Sequence, residues 1–157
     1  MNKGTIAGAT FGLTSASITT LGLMIGLYAS TASKLVLVAG ILTIAIAYAF
    51  SDALGVHVSK ESENDCDHDD VWRATIATFL FKLFFASLFL LPVMLLPLGT
   101  AILVSIAWGL GVIIVLSYFM ARQRKENPFQ VIGEHLGIAL IVLVATKYAG
   151  DLIARIL

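Results

Sequence analysis

The chain has 157 residues, 59% of them hydrophobic and 13% charged, with ten Lys/Arg balancing ten Asp/Glu, and its mean hydropathy is +0.95. A soluble domain carries roughly a quarter charged residues, so this composition excludes a surface that faces only water and predicts an all-α integral membrane protein, a single membrane domain over 1–157. Zero net charge argues against a nucleic-acid partner, and one cysteine, Cys66, excludes an intrachain disulfide.

A membrane span needs about 20 mostly apolar residues. The first predicted span covers about 4–28. Its apolar stretch is too long and too rich in Ser and Thr for the core of a cleaved signal peptide, so a retained helix is expected. Gly4, Gly8, Gly12, Ser15, Thr19, Gly22 and Gly26 recur at steps of three and four, which keeps them on one helix face. Small residues let helix backbones approach closely in lipid. That makes the row a packing seam, while the hydroxyls of Thr14, Ser15 and Thr19 also suit a polar transport path. One seam can do both, packing at its ends and opening at its middle.

The second span covers about 34–58 and has its own small row, Ala47, Ser51, Gly55 and Ser59. Asp52 stands about seven residues from its end, at ~10 Å of depth. Intramembrane carboxylates are costly and usually face a bundle interior or an ion path; a structural ion pair or a protonated carboxyl is the plainer reading. His57, nearer the end, reads as an interfacial polar residue or as a supporting group at the mouth of a path.

An acidic loop, 59–71, follows. Its stretch ESENDCDHDD offers Glu61, Glu63, Asp65, Asp67, Asp69, Asp70, Cys66 and His68. Carboxylates with imidazole suit Mn²⁺ or Fe²⁺, but the glycine and final glutamate of an EF-hand are missing. A solvated acidic loop and an antenna that concentrates divalent cations both fit.

The third span covers about 72–94 and holds Lys82 near its middle, where the side chain either neutralises Asp52 or titrates in its own right. Pro92, Pro97 and Gly99 separate it from the fourth span, about 99–121. Asn127-Pro128 precedes the fifth, about 131–153, with Gly133, Gly137, Glu134 and His135 at its start. Lys147 and Asp151 are spaced for a local helix pair. Five spans follow. The Lys/Arg bias, with Lys3, Lys60, Arg73, Arg122, Arg124 and Lys125 on one side, predicts a cytoplasmic N-terminus and a C-terminus on the opposite side. No triad, phosphate loop or Cys/His zinc pattern is present, which predicts no enzyme and no bound cofactor.

With these residues in view, the chain resembles the vacuolar iron transporter family. GATFGLTSASITTLGLMIGL resembles that family's glycine-rich, Thr-rich opening helix. Ser51-Asp52-Ala53-Leu54-Gly55-Val56-His57-Val58-Ser59 resembles its second helix, Ser-Met-Ala-Val-Gly-Glu-Tyr-Leu-Ser, and Ser62-Glu63 the tail that follows. Thr78-Phe79-Leu80 with Pro92, and the basic segment 122–125, also fit. The resemblance implies a homodimer, joined through helices one and two, that exports Fe²⁺ or Mn²⁺ from the cytosol against protons. A prokaryotic cell membrane or a eukaryotic vacuolar-type membrane would house it. Asp52, Glu61 and Glu63 would then meet the metal, and Thr14, Ser15, Thr19, Asp52, His57 and Lys82 would line the path.

The departures are specific. Phe11 stands where the family carries an acidic residue, Asp52 where it carries a pore methionine, and Val56 where it carries a glutamate. The long metal-binding insertion between helices two and three is absent, with the acidic loop in its place. Asp for Met makes a harder site, favouring Mn²⁺, Mg²⁺ or Fe²⁺. A non-transporting scaffold or sensor of the same fold, and a transporter of another cation or small solute, are the competing readings.

Overall fold

The computed structural model describes residues 2–63 and 67–156. These form six helices and, among the described residues, no strand: α1 (Lys3–Thr31), α2 (Lys34–Glu61), α3 (His68–Leu88), α4 (Leu90–Leu95), α5 (Leu98–Arg124) and α6 (Pro128–Ile156). Five helical stretches are long and apolar enough to cross a membrane, with α3 and α4 together forming one of them, His68–Leu95.

The helices outrun the expected spans at both ends. A hydropathy count stops at the first charges, whereas a helix continues until its backbone groups find a cap. Ser59, Lys60 and Glu61 therefore belong to the last turn of α2, and 68–71 to the first turn of α3, so the expected loop 59–71 shrinks to a short connection. Asn64, Asp65 and Cys66 lie outside the described residues. Asp67 is the N-cap of α3, and Asp69 and Asp70 fill its first turn, where the exposed amides of the helix end favour negative charge. Part of the acidic run thus serves to start a helix.

The break between α3 and α4 falls at Phe89, ahead of the proline that causes it. Pro92 has no N–H to offer the carbonyl of Leu88, and its ring crowds that carbonyl. The chain tightens there, with the Phe89 amide donating to the Ala86 carbonyl at 3.3 Å. At the end of α4 the Lys34 ammonium donates to the Met94 and Leu96 carbonyls at 3.1 and 3.5 Å, satisfying groups the helix end leaves unpaired.

Helix α1 is the centre of the bundle and packs against α2, α3, α5 and α6. Its small-residue row meets two different neighbours. A Cβ at Gly4 or Gly8 would collide with the carbonyl of Asp70 or Ala74, and one at Gly12 would lie 2.9 Å from the Thr78 carbonyl. That half of the row fits α3. Gly22 and Gly26 instead face Val142 and Thr146 of α6, and a Cβ at Gly150 would collide with the Gly26 carbonyl. Both pairs run parallel, since rising numbers on α1 meet rising numbers on α3 and α6. Between the two halves, at Ser15 and Thr19, the row holds polar contacts instead of backbone contacts.

The apolar core gathers toward the Tyr28 end, around Leu21, Met24, Leu37, Ile41, Phe89 and Val93. Around the outside, large apolar side chains such as Leu35, Phe84, Leu103, Ile141 and Val144 are mostly exposed. A continuous apolar exterior of this kind marks a surface made for contact with something other than water.

Candidate functional site

Lys82 is the largest side chain among those fully buried, at 0% exposure. Ammonium groups are almost never buried unless paired. Here the absence of side chains on Gly8 and Gly12 lets α3 close on α1 and brings the lysine across to α1 and α2. Its Nζ lies 2.9 Å from Asp52 Oδ2 and donates to Ser15 Oγ at 2.6 Å and Thr19 Oγ1 at 2.9 Å. An ammonium has three N–H donors, and each has an oxygen. The Ser15 hydroxyl donates to Asp52 Oδ2 at 2.6 Å, and Thr19 donates to the Ser15 carbonyl at 2.7 Å. The Tyr48 ring lies 5.4 Å from Nζ and adds a cation–π contact. The network draws on three helices and closes on itself, the condition under which a buried charge is tolerated.

The second carboxylate oxygen, Asp52 Oδ1, makes no protein hydrogen bond among the described residues. Asp52 also lines a groove of about 520 Å³ between α1 and α2. The groove is walled by Phe11, Gly55 and Val56 and reaches Lys60 and Glu63. Nine residues of helix separate Asp52 from Glu61, the last residue of α2, or ~13 Å, and Glu63 lies two residues beyond. Phe11 and Val56 make part of the walls apolar beside Asp52, which supplies the charge.

The other candidate residues divide. Ser15, Thr19, Asp52 and Lys82 come together. Thr14 does not: its Oγ1 donates to the Thr10 carbonyl at 2.9 Å, and it lines a different cavity, between α1, α5 and α6. One residue is ~100° of helix rotation, enough to separate it from Ser15. His57 sits one to two turns past Asp52 and clasps α2 to α3. Thr75 Oγ1 donates to the Val71 carbonyl at 2.8 Å and lies 2.9 Å from His57 Nδ1. Satisfying both contacts places a proton on Nδ1. Nε2 then faces Glu61 Oε1 at 3.3 Å, an attractive contact when the ring carries its second proton. The Trp72 ring closes the clasp at 4.8 Å.

Glu61 is therefore engaged with His57, and Glu63 with Lys60 at 3.5 Å. Among the described residues, no three His, Cys, Asp or Glu side chains are placed to hold a metal ion together. Within one chain, then, Asp52, Glu61 and Glu63 do not form a single site. Lys147 and Asp151 form the local pair expected of their spacing, at 2.5 Å.

Sequence reasoning missed Tyr48, Thr75 and Trp72. Helical spacing held a signal for two of them: Tyr48 is four residues before Asp52, and Thr75, Thr78 and Lys82 step by three and four along one face. Comparison of the chain with protein-family models, with curated proteins and with solved structures gave no match.

Proposed function

We propose that this chain is an integral membrane protein that moves a divalent cation, Fe²⁺ or Mn²⁺, out of the cytosol in exchange for protons, with Asp52 as the exchanging group. The observation that carries the reading is Asp52 itself. One carboxylate oxygen is held by Lys82 and Ser15, and the other has no hydrogen-bond partner among the described residues, on a side chain that lines a groove. An intramembrane carboxylate so placed is a functional group by default. The metal assignment rests on the resemblance read from the sequence and on the hardness of a carboxylate oxygen.

The chemistry this arrangement permits is a competition. While Lys82 is charged, Asp52 is already neutralised, and an arriving dication meets a resident cation. A dication binds Asp52 with advantage only when Lys82 gives up its proton or withdraws. Loss of that proton from Lys82 balances one positive charge of the incoming metal. A single carboxylate with hydroxyl oxygens is a weak divalent site, so further ligands must come from outside the chain. A second copy seated on the α1–α2 groove would supply another Asp52 by twofold symmetry, and Gly55, which has open space where a Cβ would project, leaves room for it. Glu63 stands at the groove's outer end, with Glu61 nearby on the last turn of α2, and their charge raises the local cation concentration.

In this reading the N-terminus and the α2–α3 connection are cytoplasmic and the C-terminus lies on the other side, following the Lys/Arg bias. The membrane is a cell membrane in a prokaryote or a vacuolar-type membrane in a eukaryote. A scaffold or sensor without transport is the second reading, and the fully satisfied Lys82 ammonium favours it, since a closed network has no unmet need for a ligand. Purified chain in sealed vesicles, assayed for Mn²⁺ or Fe²⁺ uptake with counter-movement of protons, separates the two: transport shows both fluxes, and a scaffold shows neither.

A further inference from the structure

Helices α1 and α6 touch through their backbones at Gly26 and Gly150 and part toward their other ends. Gly133 and Gly137 of α6 have nothing within reach of an added Cβ. The wedge left between α1, α5 and α6 is a cavity of about 500 Å³. Its outer rim carries Lys3, the first residue of α1, and Arg124, the last of α5, with Gln123 beside them. Its inner wall is apolar and includes Ile6, Phe11 and Met120. Among the described residues no carboxylate lines it; the acids nearest in sequence, Glu126 and Glu134, line a separate cleft that shares Arg124.

His135 completes the polar lining of the cavity. Ser117, itself buried, donates to the Ile113 carbonyl at 2.7 Å and lies 2.7 Å from His135 Nδ1. Satisfying both contacts puts the proton on Nδ1 and leaves Nε2 for a ligand. Lys3 and Thr14 both line the cavity, so its walls follow α1 for eleven residues, or ~16 Å. A cationic mouth opens on an interior that is apolar at Ile6, Phe11 and Met120 and hydrogen-bonding at His135, with Thr10 and Thr14 along α1, and this combination matches one kind of molecule.

We propose that this cavity binds an anionic phospholipid, with the headgroup phosphate between Lys3 and Arg124 and an acyl chain along Phe11 and Met120. Basic pockets between helices at a membrane face take anionic headgroups in this way, and a guanidinium fork suits phosphate oxygens. The site is separate from the Asp52 groove, although Phe11 borders both. A lipid seated there would press on the wall of the proposed path. The inference rests on the membrane reading and not on transport.

The test is native mass spectrometry of the full chain released from vesicles of phosphatidylcholine with or without phosphatidylglycerol. One phosphatidylglycerol per chain is expected to survive release. Lys3→Gln or Arg124→Gln should weaken its retention about fivefold each, and the double variant about thirtyfold. Arg124→Lys, which keeps the charge and loses the fork, should fall between the unmodified chain and Arg124→Gln, and Arg155→Gln, at the other end of the bundle, should change nothing. Glycerol 3-phosphate, which has the headgroup anion and no acyl chain, should fail to displace the lipid. Equal retention by the double variant overturns the proposal, and so does displacement by glycerol 3-phosphate, which would mean a simple anion site. A chain that alkaline carbonate strips from the vesicles refutes the membrane reading itself; a chain that stays but shows no lipid preference refutes only this site.

Discussion

Lys82 Nζ and Asp52 Oδ2 lie 2.9 Å apart, the lysine at 0% exposure and the aspartate at 20%. The asymmetry decides what each partner does when the other is removed. Asp52→Asn leaves an enclosed ammonium among neutral oxygens with no compensating charge, and removing the charge of one partner of a buried pair costs about 3 kcal/mol or more. Lys82→Met leaves a carboxylate that still has Ser15 and opens on the groove, so its cost should be smaller, about 1–2 kcal/mol. The double variant Asp52→Asn with Lys82→Met should be more stable than Asp52→Asn alone. Thermal unfolding in detergent, run as a double-mutant cycle, gives the ordering. Equal costs, or additive ones, would mean the two side chains do not depend on each other.

The two glycine seams of α1 make a second prediction. Gly8→Ala and Gly150→Ala drive a methyl group into a backbone carbonyl of the neighbouring helix, and overpacking of this kind costs about 1–3 kcal/mol. Gly133→Ala and Gly137→Ala meet open space and should gain about 0.5–1 kcal/mol from helix propensity. Unfolding midpoints of the four variants check this. A loss at Gly133 or Gly137 as large as at Gly8 would mean that a partner covers α6 there.

Much of this was legible in the sequence, and the parts that were not have a common cause. Span number came from the length of apolar runs, which lipid thickness fixes within narrow limits. The steps of three and four in the small row placed Ser15 and Thr19 on the seam, where the structure has polar contacts to Lys82 in place of backbone packing. Two matters depend on which helix lies opposite, and one chain's periodicity does not contain that information. The row changes neighbour from α3 to α6 along its length. Thr14, one residue from Ser15, turns to another cavity. The pairing of Asp52 with Lys82 was one of two readings, because spacing along separate helices sets depth but not which groups meet. Glu61 reads from the sequence as a loop residue and instead ends α2, while Glu63 does lie in the connection, since hydropathy marks where lipid ends and not where a helix ends.

The histidine clasps give a third prediction. The shared hydroxyls of Thr75 and Ser117 place a proton on Nδ1 of His57 and of His135. Nitrogen-15 chemical shifts of the neutral rings should report the Nδ1–H form for both. Thr75→Val removes the acceptor and should return His57 to a mixture of forms. An Nε2–H ring at His57 in the unmodified chain would contradict the geometry, because Nε2 would then donate to Glu61 without a second proton.

The single cysteine offers a test of orientation. With the α2–α3 connection cytoplasmic, a membrane-impermeant maleimide added to intact cells should leave Cys66 unlabelled, and the same reagent should label it after the membrane is opened. Labelling in intact cells would reverse the assigned orientation and with it the direction of transport.

The most direct test of the account is cation flux through Asp52. Purified chain in sealed vesicles should take up Mn²⁺ or Fe²⁺ with proton movement in the opposite direction. Asp52→Asn should abolish both fluxes in vesicles that still contain folded protein, verified by circular dichroism. Metal uptake that persists unchanged in Asp52→Asn, or an unmodified chain that moves neither metal nor protons, would contradict it.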